Sequence, residues 1–340
     1  MIVLGVESSC DETAAAVVED GRRILANVVA SQDDLHAAFG GIVPEIAGRE
    51  HVRVITTVMR EARRKAGVDL SAIDAVAVTN RPGLIGSLLV GVAAAKALAF
   101  ALDRPLVGVD HVEAHVVSTL MGDAPPPAFP AVALVVSGGH TNLFRVRTPG
   151  RVEPLGATVD DAAGEAFDKV AKILGLGYPG GPLVERLARD GDPAAYDLPR
   201  ARLGDGTDDF SFSGLKTAVL YRAKGQNQRA SDAPLRPGVS AADMAASFQA
   251  AVIDVLVGKT MDAARRDGAR SVLAGGGVTA NSVLRAALAA ACEGARLDLR
   301  LPGPGLATDN AAMIAAAGHY RRLAGERDGL DLEASPRRAG

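Results

Sequence analysis

The chain repeats its own beginning. Apolar runs at residues 2–7, 13–18 and 24–30 are separated by polar turns, and Asp20-Gly21 between the last two is a hairpin signal. The same strand-turn-strand-turn-strand order returns at 131–136, 142–147 and 155–159, with Pro149-Gly150 as the second hairpin turn. Val6 stands 130 residues before Val136, and the polar turn Glu7–Asp11 is matched by Ser137–Thr141. The match lies in the pattern, with few identities. A repeat of this period fits two related units, and 340 residues suffice for two at about 150 residues each. Between the copies, four of the six positions from Pro125 to Pro130 are proline. Such a run forms neither helix nor central strand. It is the expected linker, with units at 1–126 and from 127 onward.

Strands and helices alternate in both halves, which predicts an α/β fold. The first meander is followed by a helix at 45–66, a strand at 73–79, an Ala-rich helix after the turn 81–87, and a strand at Leu106–Val109. The second is followed by helices at 161–174 and 181–189, an irregular polar insertion at about 190–240, and a helix at 241–266. A strand at Ser271–Ala274, the turn Gly275–Ser282, and another helix and strand come next. A last helix from Thr308 to Arg322 can return to the first half, with Thr308 as its N-cap. The second unit thus runs 127–325, and the polar residues 326–340 read as a flexible tail.

Composition excludes several classes. A net charge of −3 argues against gripping nucleic acid by bulk charge, so an RNA substrate would need local basic patches or those of a partner. Two cysteines, Cys10 and Cys292, make neither a disulfide framework nor a four-thiolate zinc site, and read as idle thiols in a reducing compartment. The first residues lack the basic start and apolar core of a signal peptide. The apolar run at 84–102 is broken by Ser87 and Lys96 and reads as a buried helix, without a membrane span. The expectation is a cytoplasmic protein.

Gly/Ser turns follow strands at 7–13, 137–141 and 275–282, and more loosely at 81–87. Their backbone N–H groups can cradle phosphate or carboxylate oxygens. None matches a P-loop or a dinucleotide fingerprint. His111 and His115, spaced by four on a helix, share one face where both can reach one metal. Asp309 is the best third ligand, and fits equally as an acid favouring a helix N-terminus. Glu113 is turned about 200° from His111 on that helix, too far round to serve a metal-bound water as base. That argues against a metalloprotease. Asp11 and Glu12 at the tip of the first turn are candidate general bases or metal-adjacent groups. Asp168, beside Lys169 near a helix start, is suited to a ribose hydroxyl or to the helix dipole.

The motifs Glu7-Ser8-Ser9-Cys10-Asp11-Glu12-Thr13, Gly40-Gly41-Ile42-Val43-Pro44-Glu45, His111-x-x-x-His115, Val136-Ser137-Gly138-Gly139-His140-Thr141, Gly164-Glu165-Ala166-Phe167-Asp168-Lys169, Tyr178-Pro179-Gly180-Gly181-Pro182, Phe212-Ser213-Gly214-Leu215-Lys216, Gly275-Gly276-Gly277-Val278-x-x-Asn281 and Thr308-Asp309-Asn310 together resemble the TsaD family. These are tRNA N6-adenosine threonylcarbamoyltransferases, once described as O-sialoglycoprotein endopeptidases. The resemblance runs in order over about residues 1–322 and departs at Gly48-Arg49, where the family usually shows Ser-Arg. It implies the duplicated actin-like (ASKHA) fold, two lobes with a central cleft. It implies metal ligands at His111, His115 and Asp309, one divalent ion per chain, Fe(II) before Zn. It implies substrate contacts at Val135, Val136, Ser137, Gly138, Gly139, Asp168, Gly181, Glu185 and Asn281, and catalytic roles open to Asp11 and Glu12. The donor would be threonylcarbamoyl-AMP, made by a separate synthase, and the acceptor N6 of adenosine 37 in tRNAs reading ANN codons, giving t6A and AMP. Implied partners are a paralogous actin-like protein of the TsaB type and a small ATPase of the TsaE type. The alternative is an ATP-dependent phosphotransferase of the sugar or acetate kinase type on the same fold, although two imidazoles suit hard Mg²⁺ badly. A non-catalytic nucleotide-dependent scaffold is a third reading.

Overall fold

The computed structural model describes residues 1–39, 41–201, 206–225 and 233–337. Gly40, part of the expected insertion and the last tail residues lie outside the described residues. The chain divides into one unit of Met1–Pro126, Thr148–Arg151 and Pro302–Gly340, and a second of Pro127–Arg147 and Val152–Leu301.

The first unit opens with β1 (Ile2–Glu7), β2 (Glu12–Glu19) and β3 (Arg23–Ser31). Then come α1 (Asp33–Ala37), α2 (Pro44–Ala66), β4 (Ala75–Arg81), α3 (Ile85–Leu102), β5 (Leu106–Asp110) and α4 (His111–Ser118). Its sheet has the order β3-β2-β1-β4-β5. The second unit carries β6 (Ala131–Val136), β7 (Thr141–Thr148), β8 (Arg151–Ala157), α5 (Ala163–Ile173), α6 (Gly180–Ala188) and α7 (Ser213–Lys224). It continues through α8 (Ala241–Arg266), β9 (Ser271–Gly275), α9 (Ser282–Ala295) and β10 (Asp298–Arg300), with sheet order β10-β9-β6-β7-β8. The last helix, α10 (Ala311–Leu323), belongs to the first unit.

The sequence repeat is a repeat of topology. β1 runs antiparallel to β2 and parallel to β4, and β6 runs antiparallel to β7 and parallel to β9. β1 reads as a continuous apolar run because its sheet is covered on both faces. Leu4 and Val6 pack with Ile55, Val92, Ala95 and Ala99 of α2 and α3, whereas Val3 packs with the alanines of α10. Gly5 lies between them, and a Cβ there would stand 2.4 Å from the Ala311 carbonyl oxygen. Glycine therefore sets how closely the start of α10 approaches β1.

Four expectations need correction. The helix at 84–102 is buried on one side only. Ser87, Leu88, Gly91, Val92, Ala95 and Ala99 of α3 are buried, whereas Ile85, Leu89 and Phe100 are 46%, 54% and 75% exposed. By length and composition α3 and α8 could each cross a membrane, and 33% and 61% of their apolar windows are buried. The polar stretch at 190–240 is not a purely irregular insertion, since it contains α7 and sends Phe210, Phe212, Leu215 and Val219 into the core. The polar tail is tied down through residue 335: Asp328 N–H donates to Leu106 O at 2.9 Å, Ser335 N–H donates to Asn80 O at 2.8 Å, and Leu332 packs beside Leu106. Backbone pairing to β4 and β5 carries no apolar signature, so composition missed it. Finally, Thr308 is not the N-cap of α10. Asn310 is, its side-chain oxygen accepting from Met313 N–H at 3.1 Å.

Candidate active site

Three short connections bring the first unit's chemistry together. β5 ends at Asp110, whose carboxylate accepts from Val112 and Glu113 N–H at 2.9 and 3.2 Å and caps α4. That cap starts the helix at His111 and places His115 one turn on, with ring centroids 4.8 Å apart. Asn310 donates to the Thr308 carbonyl at 2.8 Å, bracing the turn that presents Asp309. Asp309 Oδ1 then lies 3.1 Å from His115 Nε2 and 3.4 Å from His111 Nε2. The three ligand atoms fall within 4.8 Å of one another, in buried surroundings. Two imidazole nitrogens and one carboxylate oxygen, converging on one point, are a donor set suited to Fe(II) or Zn(II).

The electrostatics favour a cation there. Burial alone would lower the His111 pKa, but Asp309 and Glu7 outweigh it and hold the imidazole well above its ordinary value. Burial would likewise raise Asp309, but His111 and His115 hold it well below the carboxylate range. Without a metal, a proton on His111 neutralises part of this negative charge, and a bound cation would displace it.

Asp11 and Glu12 lie in the same unit. Asp11 is buried and Glu12, the first residue of β2, is half-buried. Their carboxylate oxygens and that of Asp33 are within 4.8 Å of one another. Burial first, then the charges of Asp309 and Asp11, push Glu12 up to about 10. A carboxyl with that pKa keeps its proton at neutral pH and donates. Its ordinary value is 4.5, so between that pH and about 10 the folded chain holds a proton that the unfolded chain releases, and stability falls as pH rises through this window. Metal-free Glu12→Gln should therefore melt above the wild type near pH 8 and close to it near pH 4, checked by thermal melts at both.

In the second unit, Val135 and Val136 are wholly buried at the end of β6, so only their backbone remains for a ligand. Ser137 N–H donates to the His140 carbonyl at 2.8 Å and closes the turn, while a Cβ on Gly138 or Gly139 would meet open space. Gly276, at φ +91°, lies against that strand end, where a Cβ would come within 2.3 Å of Val136 O. Asp168 accepts from Gly180 N–H at 2.7 Å and also from Gly181 N–H, at the start of α6. Glu185 Oε1 accepts from Ser282 N–H at 3.0 Å and Ser282 Oγ at 2.6 Å. Asn281 caps α9 through Val283 and Leu284 N–H, both at 3.0 Å, and donates to Gln249 Oε1 at 2.7 Å. Asp168 thus holds the start of α6 at Gly181, and Glu185 of the same helix reaches Ser282, the residue after Asn281. Sequence reading missed Gln249, buried on α8, and Glu7, an acid closing an otherwise apolar strand.

The sequence profile described as TsaD, tRNA N6-adenosine threonylcarbamoyltransferase, matches residues 23–316. The protein of that name from Symbiobacterium thermophilum is 58% identical over 335 residues, covering 98% of this chain and 96% of the relative. This chain belongs to the TsaD family. A second TsaD relative, from Geobacter sp. strain M21, is 52% identical over 336 residues, covering 99% of this chain and 96% of its own. Among solved structures, T. kodakarensis HypF superposes with a TM-score of 0.64 at 15% identity, covering 97% of this chain and 48% of that one. Component A of the Acidaminococcus fermentans (R)-2-hydroxyglutaryl-CoA dehydratase gives 0.51 at 13% identity, covering 95% and 99%. Likeness at such identities concerns the fold, which is the duplicated actin-like one that the resemblance implies and that fits the repeat. As a TsaD-family member the chain is a transferase that modifies tRNA at N6 of adenosine, which favours this reading over a phosphotransferase.

Proposed function

We propose that the chain moves the threonylcarbamoyl group from threonylcarbamoyl-AMP to N6 of adenosine 37 in tRNAs reading ANN codons, releasing AMP. The observation that carries the reading is the buried convergence of His111, His115 and Asp309. The donor is already an activated mixed anhydride, so no Ser or Cys nucleophile is needed. The N6–carbonyl bond forms, the carbonyl–phosphate oxygen bond breaks, and the N6 proton must leave.

In the second unit, the turn Ser137–Gly139 would take phosphate oxygens through the N–H groups of Gly138 and Gly139 and the Ser137 hydroxyl. Asp168 would accept from a ribose hydroxyl, while Gly181, Glu185 and Asn281 with the backbone of Val135 and Val136 would line the nucleotide. In the first unit, His111, His115 and Asp309 would hold a divalent cation, proposed as Fe(II), with Zn(II) the other fit. When bound there, the cation supplies Lewis-acid polarisation of a carbonyl. Asp11 or Glu12, whose carboxylates lie together with that of Asp33, would accept the N6 proton. The other of the two would orient the amine.

Partner proteins follow from the same reading: a separate synthase, a paralogous actin-like partner of the TsaB type, and a small ATPase of the TsaE type, all in the cytoplasm. We place the paralogous partner on α3, where Ile85, Leu89, Ala93, Ala97 and Phe100 form one exposed apolar stripe, with Val52 of α2 65% exposed. Leu89→Asp should weaken that association at least tenfold, roughly the 1.4 kcal/mol of one buried apolar contact, with an unchanged melting temperature. Co-purification and calorimetry check it.

The function is tested by incubating the chain, its partners, tRNA and threonylcarbamoyl-AMP, then digesting the tRNA and weighing its nucleosides. An adenosine carrying threonylcarbamoyl supports the proposal. ATP turnover with no adduct would favour a phosphotransferase, and binding alone a scaffold.

A further inference from the structure

We infer that Glu7 is a positioning residue that decides which ring nitrogen of His111 faces the metal. This rests on reading His111, His115 and Asp309 as a metal set. Glu7 closes β1 with no exposed surface. Its Oε1 accepts from Ser9 N–H. Its Oε2 accepts from Thr79 Oγ at 2.7 Å and lies 2.9 Å from His111 Nδ1. Ser9 Oγ is 3.2 Å from the same nitrogen. β1, β4 and the first turn thus fix the carboxylate before it meets the imidazole.

An ionised carboxylate only accepts, so Nδ1 of His111 carries the hydrogen. The lone pair offered to a cation is then on Nε2, the atom that faces Asp309 at 3.4 Å. His115 is held differently. Its Nε2 also faces Asp309, at 3.1 Å, while its buried Nδ1 has no hydrogen-bond partner among the described residues. Of the two imidazoles, His111 is the one with a carboxylate behind it. Such a partner orients the ring and raises its basicity toward the metal.

The test uses the full chain and Co²⁺ as probe, titrated against a chromophoric chelator, with visible spectra at saturation. Glu7→Gln keeps the side chain's size and removes its charge. It should bind Co²⁺ roughly 10- to 100-fold more weakly, with an altered spectrum. Thr79→Val, which removes one donor and keeps the carboxylate, should lose less. Folded Glu7→Gln with wild-type affinity and spectrum would overturn the inference alone. Wild-type protein that binds no Co²⁺ would overturn the metal reading and the inference with it. If Glu7→Gln does not fold, ¹⁵N-histidine spectra of Zn²⁺-loaded wild type decide. A proton on His111 Nδ1 with a metal-shifted Nε2 supports the inference, and the reverse assignment overturns it.

Discussion

Replacing His111 and His115 together by alanine should lower t6A formation about a thousandfold and leave the chain without stoichiometric metal. A cation held there would supply Lewis-acid polarisation of the transferred carbonyl, several kcal/mol in such sites, and each 1.36 kcal/mol is a factor of ten in rate. Removing His111 also leaves Glu7 and Asp309 facing one another's charge with less compensation. Breaking such a buried pair costs about 3 kcal/mol or more of stability. His115→Ala is therefore the cleaner single variant. It keeps the contact between His111 and Glu7, and should lose most of the activity with a smaller loss of melting temperature. Metal analysis, thermal melts and nucleoside mass spectrometry on the same preparations separate the two effects. Full activity in a folded, metal-free double variant would remove the metal from the account.

The second large effect lies away from any ligand. Gly5→Ala would place a Cβ 2.4 Å from the Ala311 carbonyl oxygen and 2.9 Å from Ala315 Cβ. The obstacle is helix backbone with no rotamer to escape into, so α10 must move off β1. Overpacking of this kind costs typically 1–3 kcal/mol, and a backbone obstacle places Gly5→Ala near about 3 kcal/mol. Asp309 stands two residues before Ala311, so the same shift draws it away from His111 and His115. The expected result is a melting temperature lower by about 5 °C or more together with weaker metal binding. An unchanged melting temperature would show that α10 accommodates the methyl group and that Gly5 does not set its distance.

The repeat was legible because β1 and β6 are both covered on two faces and both end in polar turns, so pattern survived where identity did not. The helical histidine pair was legible from its spacing alone. Asp309 was harder, since an acid beside a helix start has an ordinary explanation. What the sequence does not carry is its contact with the two imidazoles, at 3.1 Å from His115 Nε2 and 3.4 Å from His111 Nε2. Glu7 was passed over because a strand-terminal acid gives no local sign of being buried. Its partners, Thr79 and His111, are 72 and 104 residues away. The tail was misread for a related reason: Asp328 and Ser335 are held through backbone hydrogen bonds, which composition does not record.

The most direct test of the central claim is stepwise reconstitution. Chelated, metal-free chain is titrated with Fe(II) or Zn(II) in the presence of its partners, tRNA and threonylcarbamoyl-AMP, and t6A is counted against metal bound. The account predicts that t6A rises in proportion to occupancy up to one ion per chain and is absent from His115→Ala. Full t6A formation before any metal is added would contradict it.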